Sequence, residues 1–197
     1  MLRRGFKTQA ERISSSVREE LGLAAVDRLD CNVLAERLAI PIVTVAEPRS
    51  SGAQETSIRH LLKDAAGFSA LTVCVGRARL IVYNDRHPPG RRANSLAHEL
   101  SHSILEHPPA PAIGAGGCRR WDAVLEAEAD WLAATLLVPR DGAFQFLRSG
   151  RSQEDGAAYF GVSLALFRWR ANQTGIMRQL AAGPHWHRIQ SRKNELP

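Results

Sequence analysis

Cysteine is scarce here and badly placed for pairing. Cys31, Cys74 and Cys118 are odd in number, widely spaced and form no CxxC pair. That speaks against a disulfide scaffold or a cysteine-built metal site and predicts free thiols in a reducing compartment. Long apolar runs are missing too, so no segment is expected to span a bilayer. The opening stretch MLRRGFKTQAER has no hydrophobic signal core, and a cytoplasmic protein without membrane attachment is expected. Disorder is equally disfavoured, because 197 residues at 44% hydrophobic content are enough to build a substantial core.

Charge is biased to one sign. Twenty-six Lys and Arg against 20 Asp and Glu leave a formal net charge of +6, and the sequence pI is near 9.9. Such a balance suits a nucleic acid or an acidic protein partner, and charge alone does not separate the two.

The local patterns alternate between helix and strand. Thr8 with Glu11 reads as a capping box opening a helix to about Leu21, and Asp30 caps a shorter helix through Leu38. Ile42 to Val45 reads as a short strand, and Pro48 to Glu55 as a Ser- and Gly-rich loop. Ala70 to Val75 and Arg79 to Tyr83 are β-rich and flank Gly76-Arg77-Ala78, the pattern of a hairpin. Gly142 to Leu147 reads as a short helix, and from Gln153 two more lie around Gly161-Val162-Ser163, a spacing that resembles a helix-turn-helix.

The run Leu96-Ala97-His98-Glu99-Leu100-Ser101-His102 contains HExxH within one helical pattern. Histidines four apart share a helical face, so His98 and His102 can reach one metal ion, while Glu99 sits one step round as a general base. A catalytic Zn2+ site needs a third protein ligand and an open position. Trp121 to Val138 supplies candidates, because this apolar helical stretch carries Asp122, Glu126, Glu128 and Asp130, which are costly there without partners. At about 100° per residue Glu126 and Asp130 lie only ~40° apart, whereas Glu128 is ~200° from Glu126. Glu126 is therefore assigned as third ligand, with Asp130 as acceptor for the ring N–H of a ligand histidine. Glu128 stays as a competing ligand or as a partner for an arginine. His107, ~140° round the helix from His102, is expected not to share the metal, its place against the helix dipole being explanation enough.

LAHELSH followed by EAEADWLAATLLVPR resembles the ImmA/IrrE family of metallopeptidases. The resemblance rests on HExxH, on Glu126 four residues before Asp130, and on Leu136-Leu137-Val138-Pro139 as the LLxP ending. The lead-in Ile81-Val82-Tyr83-Asn84, with Arg91 or Arg92, and the start RRGFKTQAERISSSVREELGL are similar as well. Asp130 stands where many relatives carry Asn, which keeps the oxygen acceptor and adds charge.

This resemblance implies an α+β fold: a zincin-like, gluzincin-type helical domain over residues 1–140 with a small antiparallel sheet. A helix-turn-helix-like appendage over 141–182 and a tail from 183 to 197 would follow. It implies a Zn2+-dependent endopeptidase that cuts a helix-turn-helix repressor, in mobile-element control, stress responses or toxin–antitoxin-like pairs. Glu99 would take the proton of the attacking water and pass it to the leaving amine. Leu80, Ile81, Val82, Tyr83 and Asn84 form the candidate strand for extended substrate, the alternative being an ordinary core strand. An oxyanion donor is not identified among Tyr83, His107, Arg140 and Tyr159. The competing class is a transcriptional regulator with a structural or vestigial metal site, contacting DNA through Arg168, Arg170 and Arg178. The tail, with His185, Trp186 and His187, is expected to be a mobile or partner-docking end.

Overall fold

The structure is a computed structural model, and it describes residues 2–45, 68–75, 78–108 and 122–182. In chain order the elements are α1 (Phe6–Glu20), α2 (Cys31–Arg37), β1 (Ile42–Thr44), β2 (Ala70–Val75), β3 (Ala78–Tyr83), α3 (Pro89–Ile104) and α4 (Ala123–Leu137). They continue with α5 (Arg140–Arg148), α6 (Gln153–Phe160), α7 (Leu164–Gln173) and α8 (Ile176–Ala181). No helix among the described residues is long and apolar enough to cross a membrane. The expected loop at Pro48 to Glu55, the turn at Gly76-Arg77, Cys118, Trp121 and the tail from Gly183 lie outside the described residues.

The chain divides into two compact units, Met1–Lys7 with Asp30–Ala133, and Thr8–Leu29 with Ala134–Pro197. This partition differs from the boundary expected near residue 140, because α1 pairs in sequence-distant fashion with the C-terminal helices. The division falls inside α1 and α4.

In the first unit, the Asp30 carboxylate accepts from the Asn32 amide at 2.8 Å and starts α2. The sheet has the order β1-β3-β2. β2 and β3 are antiparallel with Thr72 opposite Ile81, whereas β1 runs parallel to β3 with Ile42 opposite Ile81. The sheet is therefore mixed rather than antiparallel, since β1 is joined to β2 by a long connection and enters on the far side of β3. A second correction follows for Leu80, Ile81, Val82, Tyr83 and Asn84. β3 is the central strand, its backbone is committed on both sides, and Ile81 and Val82 are buried, so it has no edge to offer a substrate.

α3 packs on β2, β3 and α2. Its Leu96, Ala97, Leu100 and Ser101 are buried at the i, i+4 spacing of an amphipathic helix, and Pro lies in its first turn, where a missing amide costs nothing. Asn84, buried, donates to Phe68 O at 3.1 Å, and Arg91 donates to Ser69 Oγ at 2.9 Å. The backbone amide of Asn84 also bonds Ser69 O at 2.9 Å. These bonds tie the entry of β2 to the start of α3.

The second unit buries Phe146, Phe160 and Phe167 among α5, α6 and α7. A capping box of Ser152 and Asp155 opens α6, Gly161 ends it at φ 68°, and Ser163 caps α7. α8 was not legible beforehand; Gly175, at φ 72°, separates it from α7. α1 starts at Phe6, so Thr8 lies inside the helix rather than at its cap.

Candidate metal centre

The i, i+4 pair on α3 and one turn of α4 converge. His98 Nε2 lies 3.1 Å from His102 Nε2, and Glu126 Oε2 lies 3.2 Å from the first and 3.6 Å from the second. Among the described residues these three form the group able to hold a metal ion. Ligand atoms at metal bonds of about 2.0–2.1 Å in tetrahedral geometry stand roughly 3.3 Å apart. The triangle matches that spacing, and two imidazole nitrogens with a carboxylate oxygen make a suitable donor set, so the residues fit a zinc-sized cation.

Each acid of α4 has a separate task. Asp122 Oδ1 accepts from the amides of Val124 and Leu125 at 2.9 and 3.3 Å, which caps the helix. Asp130 Oδ1 meets His98 Nδ1 at 2.8 Å, leaving Nε2 to face the cluster. Burial works against a charged His98, but the bond to Asp130 with the nearby Glu99 and Glu126 outweighs it and holds the imidazole above its ordinary pKa. Glu128 stands apart from the cluster; it is buried and held by both Nε and Nη2 of Arg3, the latter at 3.0 Å.

Glu99 is only 6% exposed, and its Oε2 accepts from Thr72 Oγ1 at 2.6 Å. A carboxylate in so little water keeps its geometry through such a bond. Thr72 comes from β2, and with its cross-strand partner Ile81 it shares one sheet face.

His107 stays outside the metal-binding group, as expected, but it touches a ligand histidine. Its Nδ1 lies 3.0 Å from His102 Nδ1, and its Nε2 lies 3.6 Å from Glu128 Oε2. The helical angle does not apply, because α3 ends at Ile104. Glu106 adopts φ 54°, and the amides of Glu106 and His107 turn back to Ser103 O and His102 O at 3.2 and 2.9 Å. Burial pushes the His107 pKa below its ordinary value, with Arg3 adding to it and Glu128 opposing.

Sequence reasoning singles out neither Thr72 nor Arg3, and for His107 it gives no contact with His102. A buried acid such as Glu128 signals that some cation must exist, but nothing local names Arg3. Of the oxyanion candidates, Tyr83 is in the first unit on the strand opposite Ala70, and His107 is engaged as described. Arg140 bonds Asp141 and Gln179 at 3.0 and 2.8 Å, and Tyr159 stacks with Phe146 and Phe160 at centroid distances of 5.1 and 5.3 Å. Both belong to the second unit.

Among the proposed DNA contacts, Arg170 is 1% exposed and donates to Val138 O and Glu11 at 3.1 and 2.6 Å, so it cannot reach a phosphate. Burial lowers its pKa from the ordinary value against the pull of Glu11. Arg168 is paired with Glu154 at 2.6 Å, and Arg178 is exposed on α8. Cys31 and Cys74 are thiols, and Cys31 Sγ donates to Ala93 O at 3.5 Å.

Two histidines one helical turn apart, a carboxylate from a second helix and a buried glutamate between them and a sheet define a metallopeptidase type of centre. The chain belongs to the IrrE/ImmA family of metallopeptidases: residues 28–172 match Peptidase_M78, described as the IrrE N-terminal-like domain. The match runs past residue 140 into the last turn of α7, so α5, α6 and nearly all of α7 lie within the family's domain. No curated protein matches the chain.

Proposed function

We propose that this protein is a cytoplasmic zinc-dependent endopeptidase that cuts one peptide bond in a regulatory partner, a helix-turn-helix repressor. The observation that carries the reading is the His98, His102 and Glu126 triangle with buried Glu99 on the same helix. A site meant only to hold structure closes its fourth position and needs no base beside it. A bound zinc ion supplies Lewis acidity, polarising a scissile carbonyl and acidifying water. Glu99 then accepts the proton of the attacking water and delivers it to the leaving amine nitrogen. Thr72 keeps the carboxylate in place while it does so.

β2 takes the substrate role first given to β3. Among the described residues one of its edges is unpaired, and it carries Thr72 against Glu99, so an extended peptide added there would run beside the base. The repressor as target rests on the family resemblance, and the positive charge suits an acidic partner surface. The DNA-regulator alternative is weakened by the burial of Arg170 and the pairing of Arg168.

Full-length wild type and Glu99→Gln should be incubated with the helix-turn-helix protein encoded beside this gene, with and without a chelator, and read by intact mass. A single cut that needs both metal and Glu99 supports the reading. Tight association of both proteins without cleavage sinks it in favour of a binding role.

A further inference from the structure

The chemistry above uses His98, His102, Glu126, Glu99 and Thr72 and leaves Arg3, Glu128 and His107 unassigned, although buried Glu128 links exposed Arg3 to buried His107 within the first unit. The geometry points to these three as positioning residues that fix the orientation and tautomer of His102 and thereby set how tightly the centre holds its metal. This rests on reading His98, His102 and Glu126 as the metal centre.

His102 can present a lone pair at Nε2 only with its proton on Nδ1, and that atom faces His107 Nδ1 at 3.0 Å. His107 must therefore accept there and carry its own proton on Nε2, the nitrogen turned to Glu128 at 3.6 Å. Glu128 is fixed in turn by two donors of Arg3. Its side chain is 2% exposed, whereas that of Arg3 is 59% exposed and reaches in from the surface. A carboxylate so buried persists only with such partners.

The two ligand histidines are thus held by different means. Asp130 contacts His98 directly from a largely solvated position, its side chain 70% exposed. His102 is oriented by a carboxylate one imidazole away, through a line that ends at an exposed arginine. A charge change at Arg3 is consequently felt at the metal although Arg3 touches no ligand.

The test uses full-length protein, zinc competition against a chromophoric chelator, and the visible spectrum of the Co2+-loaded form. His107→Leu should weaken zinc binding about 10–100-fold and alter the cobalt spectrum. His107→Asn, which places an amide oxygen near the former Nδ1, should recover most of the affinity. Arg3→Gln, which keeps an amide donor for the buried Glu128 but removes the charge, should lose about tenfold, the low end of that range, with folding checked by circular dichroism. Wild-type affinity and spectrum in a folded His107→Leu or in Arg3→Gln would overturn the positioning line, as would Asn binding no tighter than Leu. Wild type that takes up no stoichiometric zinc would instead overturn the metal centre itself, so the two failures are distinguishable.

Discussion

The two units keep buried charge in opposite ways. The first buries acids: Glu99 and Glu128 sit among Thr72, Arg3 and histidines that still turn ring nitrogens to a shared point. The second buries cations, and they are closed off by the chain itself. Arg18 donates to Ala24 O, Asp27 O and Leu136 O at 3.1, 2.8 and 2.9 Å, while Arg170 takes Val138 O and Glu11. Ser14 adds a bond to Thr135 O at 3.2 Å. These donors meet carbonyls that the end of α4 would otherwise leave unsatisfied. Buried charge whose partners are all internal serves the fold; buried charge whose partners leave lone pairs converging serves a ligand.

The sharpest way to break this contrast is Glu99→Gln. Peptide hydrolysis should fall about 10²- to 10⁴-fold with zinc stoichiometry unchanged; a retained rate would show that Glu99 is structural, as the buried arginines of the second unit are. Arg170→Ala should instead destabilise by about 3 kcal/mol in chemical denaturation, and a change under 1 kcal/mol would mean that the closed arrangement contributes little. Gly156→Ala tests packing without charge. A Cβ there would meet the Phe167 ring at 2.4–2.9 Å, so a loss of about 1–3 kcal/mol is expected. Thr72→Val should lower kcat about tenfold and leave zinc affinity alone; if zinc affinity fell as well, Thr72 would be holding the helix rather than the base.

The smallest effect is expected at Glu154. Its own backbone amide at the start of α6, with Ser152 and Arg168, holds the carboxyl below its ordinary pKa, with burial opposing. A depressed folded pKa stabilises above the ordinary carboxylate value and ceases to as pH falls through the folded value. The Tm difference between wild type and Glu154→Gln should therefore be slight at neutral pH and vanish in acid.

What was legible in the sequence followed from local periodicity. His98 with His102, and Glu126 with Asp130, are i, i+4 pairs whose geometry needs nothing beyond a helix. Asp30 opening α2 and the turn at Gly161 are equally local. The rest depended on where the chain goes next. That β3 is central depends on β1, which is distant in sequence, and Arg3 reaches Glu128 across most of the first unit. The contact of His107 with His102 forms past the end of α3, where a helical angle no longer applies. The partition of α1 with the C-terminal helices leaves no local mark at all.

The turn after α3 stores free energy beside the metal centre. Glu106 occupies at φ 54° the place where helices commonly put glycine, at a cost of about 1 kcal/mol in backbone strain. Glu106→Gly would release it while keeping the hydrogen bonds that fold His107 back on His102. Such a variant offers a reserve of stability, a background in which damaging substitutions in the first unit could be purified and compared.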